Sequence, residues 1–132
     1  MSAFSKSLII ADQVLFDSIS GKWTIVGISD GCVLKSFPCS SPKFSVFAQV
    51  SDVGGELVGT FQVLDPDLQL VGSIKTPVAF ASRKDTQDFM AIFGGVNLPK
   101  PGAYTVQFLV NNEVVSTTKL QVDAIVENPL GS

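Results

Sequence analysis

Turn signals break this chain at short intervals, and no segment between them suits a long helix. Ser20-Gly21, Asp30-Gly31, Pro38, Gly54-Gly55, Asp65-Pro66-Asp67, Gly94-Gly95, Pro101-Gly102 and Asn111-Asn112 punctuate it. No stretch of 11 or more residues sustains an i, i+3, i+4 apolar pattern. The runs between the breaks are rich in strand-favouring residues: 17 Val, 8 Ile and 7 Thr, with 10 Phe. Short apolar runs separated in this way predict an all-β sandwich or barrel.

Strands are expected at Ser7–Phe16, Lys22–Ile28, Val33–Phe37, Lys43–Val50, Glu56–Leu64, Leu68–Ile74, Val78–Ala81, Phe89–Val96, Ala103–Val110 and Val114–Val122. In Ala103–Val110, Tyr104, Val106, Phe108 and Val110 share one face, since successive side chains alternate. Ser7–Phe16 alternates poorly, because Leu8-Ile9-Ile10 is apolar on both faces. That suits a strand covered on both sides or one at an oligomer interface. Residues 1–132 read as one sandwich domain, with strands over about 7–122 and a C-terminal tail at 123–132.

Two connections carry their own mechanism. Asp65-Pro66-Asp67-Leu68 predicts a type I turn, with proline presetting φ at its second position. Asn111-Asn112 can adopt the left-handed conformation of a tight hairpin. A two-residue loop there pairs Val110 with Glu113 and sets Tyr104 against Lys119; a three-residue loop sets Tyr104 against Leu120, which buries better. Either the loop has three residues or a bulge near Thr117–Lys119 repairs the register.

Composition narrows the function. Nine basic against twelve acidic residues leave a net charge of −3, with Arg83 the only arginine, so the basic stripe of a nucleic-acid binder is missing. The absence of histidine removes Ser-His and Cys-His nucleophile pairs and imidazole zinc sites. No run of about 18 apolar residues predicts a membrane span. The apolar stretch Leu8–Ala11 stops at Asp12, too short for a secretory signal, so a cytoplasmic protein is expected. There Cys32 and Cys39 read as reduced, buried thiols rather than a disulfide.

The segment Leu98-Pro99-Lys100-Pro101-Gly102-Ala103-Tyr104-Thr105-Val106 looks like the penultimate strand of immunoglobulin-like domains, where a Gly-x-Tyr bonds its hydroxyl to nearby backbone. The cysteine pair around a core tryptophan is missing, and Trp23 lies in an early strand, so the likeness is to the architecture. Leu8-Ile9-Ile10-Ala11-Asp12, Gly21-Lys22-x-x-Ile25-x-Gly27, Leu64-Asp65-Pro66-Asp67 and Pro99-x-Pro101-Gly102-x-Tyr104 together resemble a family of small, stand-alone bacterial proteins of unknown function. The resemblance implies a single immunoglobulin-like antiparallel β-sandwich and no chemistry.

The candidate chemical groups have plain structural explanations. Asp52 and Glu56 bracket a glycine turn, Asp65 and Asp67 flank a proline, and Asp85 and Asp88 lie three apart. Several of them converging would suit a cation or a carboxylate enzyme; turn-forming aspartates are the expectation. Gly94-Gly95 matches neither phosphate-loop spacing, and Pro99 and Pro101 forbid a following helix, so a bulge or strand-end turn is expected. Phe44, Phe61, Phe93 and Phe108 fit patterned core strands, whereas Phe4, Phe16, Phe37, Phe47, Phe80 and Phe89 exceed what one core obviously needs. The reading that follows is a non-catalytic interaction or assembly module, without cofactor or metal. It self-associates as a homodimer through an apolar sheet face or an edge strand. A small apolar-ligand carrier is the alternative, and it needs a pocket above roughly 300 Å³.

Overall fold

A computed structural model describes residues 4–28, 31–51, 57–76, 81–83 and 86–125. Its strands are β1 (Phe4–Asp17), β2 (Lys22–Ile28), β3 (Gly31–Leu34), β4 (Cys39–Ser40), β5 (Phe44–Ser51) and β6 (Gly59–Leu64). They continue as β7 (Leu70–Thr76), β8 (Ala81–Arg83), β9 (Thr86–Phe93), β10 (Asn97–Leu98), β11 (Gly102–Val110) and β12 (Glu113–Ala124). The first sheet runs β2-β1-β5-β9-β8 and the second β3-β12-β11-β6-β7, with β4 and β10 forming a short pair of their own. The order β1-β5-β9-β8 opposite β12-β11-β6 is the immunoglobulin arrangement of two four- and three-stranded sheets.

The expected sandwich is therefore present, but it is not wholly antiparallel. β3 runs parallel to β12, from Gln121↔Gly31 to Ala124↔Leu34. It reaches the second sheet by crossing from the first rather than by a hairpin from β12, so nothing forces reversal. This pairing also shortens the expected tail: β12 continues to Ala124, and Ile125 N–H donates to Leu34 O at 2.9 Å. Residues 126–132 lie outside the described residues.

Alternation builds the main core. Val46, Ala48 and Val50 of β5 and Phe89, Ala91 and Phe93 of β9 face Phe61 and Val63 of β6 and Tyr104, Val106 and Phe108 of β11. Phe108 sits between Phe61 and Phe89, with ring centroids 4.6 and 5.2 Å away in tilted geometry.

The β11–β12 hairpin settles its two readings. Its loop has two residues, Asn111 and Asn112, both left-handed at φ 50° and 68°, and Val110 pairs with Glu113. A bulge between Phe108↔Ser116 and Leu109↔Val114 then restores Tyr104 to Leu120, nearer the turn than the Thr117–Lys119 stretch. The Asp65 turn forms as expected: Leu68 N–H donates to Asp65 O at 2.9 Å, and Leu68 takes φ 64°. This is a three-residue hairpin loop, a type I turn followed by a left-handed residue. Gly94 and Gly95 end β9 ahead of β10, with Gly95 at φ 85°.

Two motifs distant in sequence meet in space. A Cβ on Gly102, which has φ 147°, would stand 2.7 Å from the Pro66 ring, so only glycine lets the turn seat there. Lys100 Nζ lies 2.6 Å from Asp67 Oδ2, an exposed pair of small energetic weight. Tyr104, fully buried, donates its hydroxyl to Lys100 O at 2.6 Å, completing the tyrosine corner. The Leu64–Asp67 and Pro99–Tyr104 motifs are thus one packed corner of the sandwich.

Candidate functional site

The least ordinary part of the molecule is the β1–β2 hairpin. Ile9 pairs with Phe47, and Phe16, seven residues further along β1, pairs with Trp23. A straight strand would carry Phe16 about 23 Å past Ile9, yet the rings of Trp23 and Phe47 are 4.9 Å apart. β1 must turn a corner, and it does so at Asp12, where its partner changes from β5 to β2. Ala11 pairs with both Ser45 and Ile28. Opposite the corner, Gly27 adopts φ 70°, and an added Cβ there would strike the Asp12 side chain.

The hairpin consequently folds back over the outer face of the first sheet. There Ala11, Val14 and Phe47 are buried, with Ile9, Trp23, Ile25 and Met90 packed around them, as an apolar cluster separate from the main core. Phe16 packs against Trp23 in tilted geometry, with ring centroids 4.8 Å apart. This accounts for the two-faced apolar pattern of Leu8-Ile9-Ile10: Leu8 and Ile10 serve the main core, Ile9 the second cluster. It also houses much of the phenylalanine excess. Phe16 and Phe47 belong to the hairpin cluster, Phe89 is fully buried, and Phe37 packs against the main core. Nothing is described of the Phe4 side chain, and Phe80 lies outside the described residues.

A buried carboxylate fastens the hairpin. Asp88 on β9 is 2% exposed; its Oδ2 accepts the Trp23 indole N–H at 2.9 Å and its Oδ1 the Gln49 amide at 3.0 Å. Charge-assisted bonds of this kind offset the cost of burying the charge. Asp88 is thus a strand residue held from above, not the turn former expected for it. Its alternate neighbour Phe89 fills the main core, and the apolar pattern of β9 hides a polar position on the other face.

The other carboxylates do not join it. Asp65 Oδ1 accepts Asp67 N–H at 2.9 Å and Gln69 N–H at 2.8 Å, the expected turn-forming role. Asp67 holds Lys100. Asp52, Glu56 and Asp85 lie outside the described residues. Among the described residues, no three His, Cys, Asp or Glu side chains group as a metal site.

Cys32 and Cys39 are free, half-buried thiols packed against the main core. Burial, chiefly, with smaller contributions from Cys39 and Asp123, pushes the Cys32 thiol above its ordinary range, the opposite of an activated nucleophile. Cys32 lines a cavity of about 110 Å³ at one end of the sandwich, with Ile10, Pro42, Phe44 and Leu120. It falls well short of the roughly 300 Å³ expected for a ligand carrier. A surface groove of about 220 Å³ lies at the hairpin corner, between Asp12–Leu15 and Lys43, Ser45 and Ile92.

Exposed apolar side chains gather on the same hairpin. Leu15 is 51% exposed, Val26 44%, Ile28 72% and Ile19, at the tip, 97%. Among the described residues, no strand pairs with the outer edge of β2. Nor is any helix among them long and apolar enough to cross a membrane.

Several solved structures align with the chain at low identity. Alkylpurine DNA glycosylase AlkC of Pseudomonas fluorescens, bound to DNA containing an abasic site analog, aligns at TM-score 0.51 and 10% identity over 92% of this chain. The chain spans only 30% of that enzyme. Bifidobacterium dentium β-glucuronidase aligns at TM-score 0.42 and 12% identity, over 92% of this chain and 17% of the enzyme. An immunoglobulin-like protein from Pseudomonas aeruginosa aligns at TM-score 0.42 and 13% identity, over 92% of this chain and 97% of that one. No curated protein matches the chain. The model of a family of unknown function, DUF6941, matches residues 6–123.

Proposed function

The chain belongs to DUF6941, a family of unknown function, and from that premise we propose that it is a non-catalytic assembly module that self-associates through its β1–β2 hairpin. The observation that carries this reading is the exposure of Leu15, Ile19, Val26 and Ile28 on one hairpin, whose strand β2 lies at the end of its sheet among the described residues. Monomeric β-proteins protect such edges with charge, proline or cover. Here β2 has no proline, and its one charge, Lys22, stands at its first residue, which leaves Thr24-Ile25-Val26 without either. A net charge of only −3 opposes association of like chains weakly. Asp17 and Asp65 serve turns, Asp67 an ion pair and Asp88 the hairpin fastening, which supports contact rather than catalysis. The half-buried free thiols suit the reducing cytoplasm.

Native mass spectrometry of untagged protein over a dilution series tests the reading. A species at twice the 14.0 kDa chain mass is expected, lost in favour of monomer when Val26→Lys places charge on the hairpin. A bare monomer at every concentration overturns it.

A further inference from the structure

Resting on the hairpin as the contact element, we propose that two copies of this chain associate by exchanging their β1–β2 hairpins, each covering the outer face of the other's first sheet. The hairpin is built as a separable unit. Its cluster of Ala11, Val14 and Phe47 is distinct from the main core, so lifting it leaves the sandwich's interior intact. The chain reaches it through a corner, where Ala11 is the last residue of β1 to pair with β5 and Gly27 takes φ 70° opposite Asp12. Solvent reaches the corner through a surface groove of about 220 Å³ between Asp12–Leu15 and Lys43, Ser45 and Ile92, most of them exposed.

The occupant follows from what opening uncovers. Lifting the hairpin bares Ile9, Ala11, Phe47 and Met90 and leaves Asp88 without the Trp23 indole. The cover that restores every one of these contacts, the indole bond included, is the same hairpin from a second copy. Straightened at Asp12, β1 becomes a 14-residue strand bridging the two molecules. The crossing region then holds Ile28, paired with Ala11 at the hinge and 72% exposed in the closed chain. Exchange gives this apolar residue a partner surface at no loss of the closed contacts, the usual economy of swapped dimers.

Leu15 on the hairpin and Ile92 on β9 border the same groove and are both about half exposed, so they report which chain's hairpin lies on which sheet. In a Cys32→Ser/Cys39→Ser background, one chain carries Leu15→Cys and another Ile92→Cys. They are mixed, co-refolded and treated with a short bifunctional thiol reagent. Exchange predicts a covalent dimer linking the two different chains. If native mass spectrometry shows a dimer but the mixed chains stay unlinked, while a chain carrying both Leu15→Cys and Ile92→Cys links only within itself, exchange is overturned and hairpin association stands. If no dimer forms, both readings fall.

Should the cysteine variants not fold, mixing of isotope-labelled and unlabelled chains decides. Exchange requires release of the hairpin, so Trp23→Phe speeds mixing by about tenfold, the rate equivalent of one lost hydrogen bond. An unchanged mixing rate overturns the proposal.

Discussion

The indole of Trp23 and the carboxylate of Asp88 are joined by a 2.9 Å hydrogen bond across 65 residues of sequence, on a sheet face outside the main core. Trp23 is the chain's single tryptophan. Its emission therefore reports the hairpin alone, whereas far-UV circular dichroism reports the whole sandwich. Trp23→Phe keeps an aromatic ring against Phe16 and Phe47 but removes the donor from a buried acceptor. A loss of about 2 kcal/mol is expected in urea denaturation. Asp88→Asn, whose side-chain oxygen still accepts the indole, is expected to lose less. Equal losses from the two would mean that the charge of Asp88, not merely an acceptor in its place, carries the fastening.

Tyr104 gives the main core its own polar anchor. Its hydroxyl donates to Lys100 O at 2.6 Å from a fully buried ring. Tyr104→Phe is expected to cost about 1 kcal/mol at pH 7, the net worth of one such bond. Burial raises the Tyr104 pKa above its ordinary value of 10.0, with the hydrogen bond donated by the Lys100 N–H to the phenolic oxygen opposing. The folded state thus holds the phenolic proton more tightly than the unfolded chain. The resulting stability is complete below about pH 10 and is lost as pH rises through the folded-state pKa. The phenylalanine variant lacks this alkaline loss, so its stability deficit narrows above pH 10. As the only tyrosine, Tyr104 can be titrated directly by its phenolate absorbance.

Asn111 does two jobs at the β11–β12 turn. Its left-handed backbone makes the turn, and it exchanges two hydrogen bonds with Val58: Val58 N–H to Asn111 Oδ1 and Asn111 N–H to Val58 O, both 2.9 Å. Asn111→Ala loses the side-chain bond and adds left-handed strain, for an expected cost of about 2 kcal/mol. Asn112→Gly, at φ 68°, relieves strain in a turn that favours Asn-Gly and is expected to gain about 0.5 kcal/mol. Thermal denaturation followed by circular dichroism separates the two signs.

Features that rest on local chemistry were legible in the sequence. The Asp65 turn and the Tyr104 corner each follow from a side chain acting on backbone a few residues away, and the Asn111-Asn112 loop from asparagine's tolerance of left-handed backbone. The parallel β3–β12 pairing was not legible, since a four-residue strand such as Gly31–Leu34 carries no directional signal. The hairpin fastening was hidden for a different reason. Leu8-Ile9-Ile10 hinted at a strand covered on both sides, and nothing in the sequence marked its bend. Only the fold, however, brings Trp23 of β2 to Asp88 of β9. Read along the chain, Asp88 is one polar residue beside Phe89, and period-two alternation assigns it to solvent.

Leu68 closes the three-residue loop between β6 and β7 at φ 64°, with its side chain 67% exposed. A left-handed backbone costs a branched side chain roughly 1 kcal/mol relative to glycine, and an exposed leucine recovers little of this by burial. The flanking bonds, Leu68 N–H to Asp65 O and Asp65 N–H to Gln69 O at 2.8 Å, use only backbone and survive substitution. Glycine gains freedom in the unfolded chain, which offsets part of the relief. Leu68→Gly is therefore expected to stabilise the protein by about 0.5 kcal/mol, and Leu68→Asn, which also tolerates this conformation, by a similar amount. Chemical denaturation midpoints at constant slope measure both. A destabilised glycine variant would show that the Leu68 side chain is covered, in solution, by a surface beyond its own loop.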